Sequence, residues 1–100
     1  MPKTILIADD EPGIRSALQK LLEFESYRVV LAEDGQRALD VLRDRAVDLV
    51  LLDIKMPGLD GLEVLSQVHR DQPQLPVVII SGHGSIQTAV EATRLGAYDF

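Results

Sequence analysis

The sequence predicts an α/β domain built on a parallel sheet, and three observations carry that expectation. Short continuous apolar runs alternate with stretches of helical periodicity along the chain. The runs lack the in–out alternation of a sheet with one wet face, so they suit strands covered on both sides. Three runs end on a polar residue: Ala8 leads into Asp9, Leu52 into Asp53 and Ile80 into Ser81. Ligands of such sheets bind at the carboxyl ends of the strands.

Each element has its own signal. Ile5-Leu6-Ile7-Ala8 is the first strand. Ile14, Ala17, Leu18, Leu21 and Leu22 follow the spacing of an amphipathic helix. Asp10 or Glu11 can cap it, and Pro12 suits its first turn. Tyr27 to Ala32 reads as a second strand, and Gly35 to Arg43 as a short helix carrying Ala38, Leu39 and Leu42. Val47 to Asp53 is the third strand, after which Met56-Pro57-Gly58 breaks the chain. Leu62, Leu65 and Val68 mark a third helix, with Asp60 as its cap. Pro76 to Ser81 is the fourth strand, and Gly82 and Gly84 loosen the loop behind it. Ile86, Ala89, Val90 and Thr93 give a fourth helix that Gly96 stops. Tyr98-Asp99-Phe100 is the approach to a fifth strand. Crossovers between the strands should be right-handed.

The totals narrow the function. One hundred residues make one domain, 46% hydrophobic residues supply a core, and 26% charge argues against disorder. A net charge of -6 is wrong for a nucleic-acid surface and suits a protein that meets cations or basic partners. With no cysteine, disulfides and thiolate metal sites are excluded. No apolar stretch approaches the roughly 18–20 residues of a membrane span. Met1-Pro2-Lys3-Thr4 does not read as a signal peptide, so a cytoplasmic protein is expected.

The acids carry the chemistry. Asp10 and Glu11 serve equally well as a helix start, where they favour the dipole. Asp53 has no such excuse, because a loop rather than a helix follows it. Carboxylates that converge raise one another's pKa and repel, and a hard divalent cation relieves them. Mg2+ takes oxygen ligands, typically one or two carboxylates plus a phosphate, whereas no His or Cys stands at a strand end for zinc. Carboxylates, the Ser81 hydroxyl and Mg2+ together suggest phosphoryl chemistry. His83 reads as an unremarkable loop histidine and His69 as a solvated residue near the end of its helix. Met56 reads as loop packing, and Arg43-Asp44-Arg45 as a solvated helix end.

Asp9-Asp10, the run D-I-K-M-P-G-L-D-G from Asp53 to Gly61, P-V-V-I-I-S-G-H-G from Pro76, and the closing G-A-Y-D-F give the chain a likeness to a known family. It resembles, over its whole length, the receiver domain of two-component response regulators, and within them those of NtrC-type transcriptional activators. The resemblance implies the flavodoxin-like strand order 2-1-3-4-5, which makes the first, third and fourth strands neighbours. It implies that Asp53 accepts a phosphoryl group from a phosphohistidine on a sensor histidine kinase, the domain catalysing only its own Mg2+-dependent phosphorylation and dephosphorylation. Asp10 and Asp53 would ligate Mg2+ directly, Asp9 through water, and Lys55 through its backbone carbonyl. Ser81 would hydrogen-bond the phosphoryl group, Gly82 would leave it room, and Pro57 and Gly61 would shape the loop. Phe100 would be the aromatic switch that follows Ser81, and the altered surface would control an output, transcription.

One departure stands out. The family's lysine, three residues beyond the aromatic, has no counterpart in a sequence that stops at Phe100, and most of the fifth strand and the fifth helix are missing with it. Residues 1–100 are therefore expected to be a receiver domain cut from a longer protein. A chain that truly ended there would leave its fourth strand as an open apolar edge, which swapping or a homodimer would cover.

The main alternative is a phosphatase with a strand-end aspartate nucleophile, but such enzymes show D-x-D where this chain reads Asp9-Asp10-Glu11, and few residues remain for a lid. A nucleotide-binding module would need a G-x-x-x-x-G-K-[ST] run, and a flavin module fails on the same acidic first loop.

Overall fold

A computed structural model describes residues 2–80 and 94–97. Four parallel strands, β1 (Thr4–Ala8), β2 (Arg28–Ala32), β3 (Leu49–Leu52) and β4 (Val77–Ile79), form one sheet in the order β2-β1-β3-β4. Three helices alternate with them: α1 (Pro12–Phe24), α2 (Gly35–Asp44) and α3 (Gly61–Asp71). β1 starts one residue before the apolar run, while β2, β3 and β4 are shorter than the runs suggested, because pairing with a neighbour sets their ends. The fourth helix and Tyr98 to Phe100 fall outside the described residues, although Arg94 is helical and Gly96 takes a φ of +109°, which suits the stop read there.

Register decides which side chains share a face. Leu6 lies beside Val30 and Val50, and Val50 beside Val77. With Ala8, Ala32, Leu52 and Ile79 they line the side that meets Ala38, Leu39 and Leu42 of α2 and Val64, Leu65 and Val68 of α3. Met56 and Leu59 of the β3–α3 loop pack against the same core, as the sequence led us to expect for Met56.

Helix α1 covers the other face, against β1 and β2, without burying a single residue completely. Leu21 is 61% exposed, Phe24 86% and the β2 residue Leu31 38%. Helices thus lie on both faces of the sheet, as expected, and among the described residues β1 is covered more completely than the edge strand β2. Among the described residues one helix shields this face, where two shield the opposite one.

The helix starts differ too. Asp34 and Asp60 cap α2 and α3, accepting from the N–H groups of Arg37 and Leu62 at 2.8 Å each. For α1 the sequence offered Asp10 or Glu11. Glu11 occupies the cap position, but its side chain makes no capping bond. The helix instead begins on Pro12, whose ring presets φ and which has no N–H to satisfy. It ends in a Schellman-type closure, with Ser26 donating to the Glu23 carbonyl and Tyr27 to that of Leu22, Ser26 standing at a φ of +72°.

Candidate phosphoacceptor site

The backbone ladder brings the strand-end acids together. The Asp53 N–H donates to the Ala8 carbonyl at 2.8 Å, and the Asp9 N–H to that of Ala32 at 3.1 Å. Both pairings continue the strands one residue past their ends, so the two aspartates emerge side by side at the carboxyl edge of β1 and β3. One carboxylate oxygen from each of Asp9, Asp10 and Asp53 lies within 4.8 Å of the other two. Asp9 is 2% exposed and Asp53 8%, whereas Asp10 faces solvent.

Local bonds aim these groups. Asp9 Oδ1 accepts from the Glu11 N–H at 2.9 Å, and Asp53 Oδ1 from the Lys55 N–H at 3.3 Å. Asp53 therefore also stitches its own loop, a structural use the sequence did not reveal. Lys55 itself is exposed. Behind the loop stands Gly61, the first residue of α3, whose N–H donates to the Ile54 carbonyl at 3.0 Å. A Cβ there would lie 2.5 Å from the Asp53 carbonyl oxygen and from the Ile54 Cα. Only glycine lets α3 come that close, so Gly61 sets where the Asp53 backbone runs.

Burial and like charges set the electrostatics of the cluster. Burial pushes the Asp9 carboxyl above the ordinary carboxylate range; the Asp53 and Asp10 charges push the same way, while the Glu11 N–H and the Arg15 guanidinium pull it down. The donor set is made of oxygens, which suits a hard cation and gives a thiophilic or imidazole-seeking one no ligand. The pocket can hold a metal ion.

Of the remaining site residues named from the sequence, Ser81, Gly82 and Phe100 lie outside the described residues, as does His83. Pro57 is exposed in the loop before α3. His69 is exposed as expected, but it is not merely solvated: a Cβ on Gly96 would collide with its ring, so the imidazole lies against that turn. Sequence reasoning missed Arg15, which donates from Nη1 to the Asp9 carbonyl at 2.7 Å. The available signal was faint, a basic residue one turn into the helix that follows a strand-end acid.

A parallel sheet with an acidic cluster at the carboxyl ends of its central strands is the architecture of a phosphoacceptor receiver. Residues 5–100 match the response regulator receiver domain family, and the chain belongs to it. It is 48% identical to the nitrogen assimilation regulatory protein NtrX of Azorhizobium caulinodans, aligning over 100% of this chain and 22% of that protein. It is 41% identical to the transcriptional regulatory protein GlrR of Escherichia coli, over 99% of this chain and again 22% of the relative. The chain thus spans about a fifth of the length of these regulators. The crystal structure of the receiver domain of NtrX from Brucella abortus superposes with a TM-score of 0.90 at 49% identity, over 96% of this chain and 82% of that one. Receiver domains are signalling domains rather than enzymes acting on a separate substrate, and the family accounts for the sheet order seen here. Among the described residues no helix is long and apolar enough to cross a membrane.

Proposed function

We propose that residues 1–100 form the phosphoacceptor domain of a longer two-component response regulator, with Asp53 as the acceptor. The observation that carries this reading is the convergence of Asp9, Asp10 and Asp53 within 4.8 Å at the carboxyl edge of the sheet. An oxygen of the Asp53 carboxylate attacks the phosphorus of a sensor kinase's phosphohistidine. The O–P bond forms as the P–N bond breaks, and the imidazole leaves with a proton in place of the phosphoryl group. Asp10 and Asp53 would hold Mg2+ directly, with Asp9 acting through water and Lys55 through its carbonyl. Bound there, Mg2+ supplies neutralisation of the negative charge that accumulates among these oxygens.

The product replaces a charge of about -1 on Asp53 with roughly -1.5 to -2. Ser81 then hydrogen-bonds a phosphoryl oxygen, Gly82 leaves it room, and Phe100 follows Ser81 inward. This is a two-state element biased by a local change of charge. The reading includes slow self-catalysed dephosphorylation, a cytoplasmic location, no direct contact of this domain with nucleic acid, and pairing with a second copy as one way to transmit the switch. Likeness to NtrX and GlrR supports an output in transcription.

Phosphorylation by acetyl phosphate tests the assignment. Wild-type protein with Mg2+ should take up one base-labile phosphoryl group, and Asp53→Asn none. Equal uptake by the two proteins overturns it.

A further inference from the structure

We propose that Arg15 is the positioning residue that holds the Asp9–Asp10 half of the acidic cluster in register with Asp53. The inference rests on the reading of that cluster as the cation and phosphoryl site. Its starting point is what α1 lacks. Among the described residues, α1 packs on β1 and β2 without burying any residue completely and no side chain caps its start, so polar bonds at its first turn carry more of its fit to the loop before it. Arg15 supplies the tie. Its side chain reaches back toward the helix start, the direction in which helical side chains tilt, and Nη1 donates to the Asp9 carbonyl at 2.7 Å.

That carbonyl lies just past the end of β1, and the bond to it is charge-assisted. The same residue's N–H donates to the Glu11 carbonyl at 3.1 Å, and the Glu11 N–H to Asp9 Oδ1 at 2.9 Å. Asp9, Asp10 and Glu11 are thereby closed between the sheet on one side, through the Asp9 N–H, and Arg15 on the other. Asp10, the exposed member of the cluster, inherits its direction from this clamp.

Positioning and simple charge balance predict opposite results. A guanidinium beside the cluster competes with a cation, so if charge were its role, removing it would tighten Mg2+ binding. If it positions the loop, removing it weakens Mg2+ binding.

The test is a Mg2+ titration followed by amide chemical shifts in the wild type, Arg15→Met and Arg15→Lys, with amide hydrogen exchange measured without Mg2+. Arg15→Met should raise the Mg2+ Kd about tenfold, the scale of one charge-assisted hydrogen bond. Exchange at Glu11 should accelerate by a similar factor while Leu6 and Val50 in the core keep their rates. Arg15→Lys, which keeps a donor and a charge, should recover most of both losses. Unchanged or tighter Mg2+ binding in Arg15→Met overturns the proposal, and so does faster exchange shared by the core amides, which marks general destabilisation. Should wild-type protein fail to bind Mg2+ or to take a phosphoryl group on Asp53, the proposed function fails by itself. The Glu11 exchange comparison would still decide whether Arg15 holds the loop.

Discussion

Among the described residues, two helices cover one face of the sheet and one covers the other, and the acidic cluster draws on both faces. On one side α2 and α3 seal a core in which Leu6, Val50, Leu52, Val64 and Leu65 are fully buried. On the other, α1 leaves large apolar side chains in contact with solvent. Asp53 belongs to the sealed side, its backbone braced by Gly61 at the start of α3. Asp9 and Asp10 lead into α1, whose tie to them is a polar bond from Arg15. The Asp53 half of the cluster is thus backed by a close approach of α3 and the Asp9–Asp10 half by an added bond from Arg15, and the two should respond to different substitutions.

The largest expected effect breaks the packed side. Leu65→Ala removes a side chain that is fully buried, and should cost about 2–5 kcal/mol in urea unfolding. The next sharpens the comparison with a pair of glycines. Gly61→Ala forces a Cβ onto the backbone of Asp53 and Ile54 and should cost about 1–3 kcal/mol, with Mg2+ binding weakened as Asp53 moves. Gly13, in α1, has open space where a Cβ would go, so Gly13→Ala should stabilise the protein by about 0.4–1 kcal/mol. Similar signs for the two would remove the distinction between the halves.

A third prediction uses pH. The Asp9 pKa is raised in the folded state, so between its ordinary value and the raised one the native protein holds more protons than the unfolded chain. Stability from this group therefore falls as pH rises through that window. Without Mg2+, the melting temperature of Asp9→Asn minus that of the wild type should increase as pH is raised from about 4 toward neutrality. A difference that stays flat or shrinks contradicts the strained-charge picture. The smallest effect belongs to the open face: Leu21→Ala should change stability by less than about 0.5 kcal/mol, because that side chain already meets water. A loss comparable to that of Leu65→Ala would mean that the face is closed in solution.

Much of this was legible before any coordinates. The parallel sheet follows from apolar runs without alternation, and Asp53 stood out because nothing after it needed a cap. Asp60 is recognisable as a cap from the sequence, and Asp34 caps α2 by the same geometry without standing out there. Strand ends were read too long at Tyr27, Val47 and Pro76, since apolar character continues where pairing has stopped. Glu11 was a reasonable cap by residue type, but a cap needs the side chain to fold onto the helix, and this one does not.

The sequence by itself determined the alternation of strands and helices, the acids at the strand ends and the chemistry they could share. Those features depend on side-chain type and on near neighbours, which the order of residues states directly. Tertiary structure alone decided that Asp9, Asp10 and Asp53 meet within 4.8 Å, that Gly61 backs the Asp53 loop, and that Arg15 clasps the Asp9 carbonyl. Among the described residues, it also decided that α2 and α3 share one face of the sheet while α1 lies on the other. Such facts depend on register between distant strands and on how closely backbones approach, and no local pattern of residues encodes a distance.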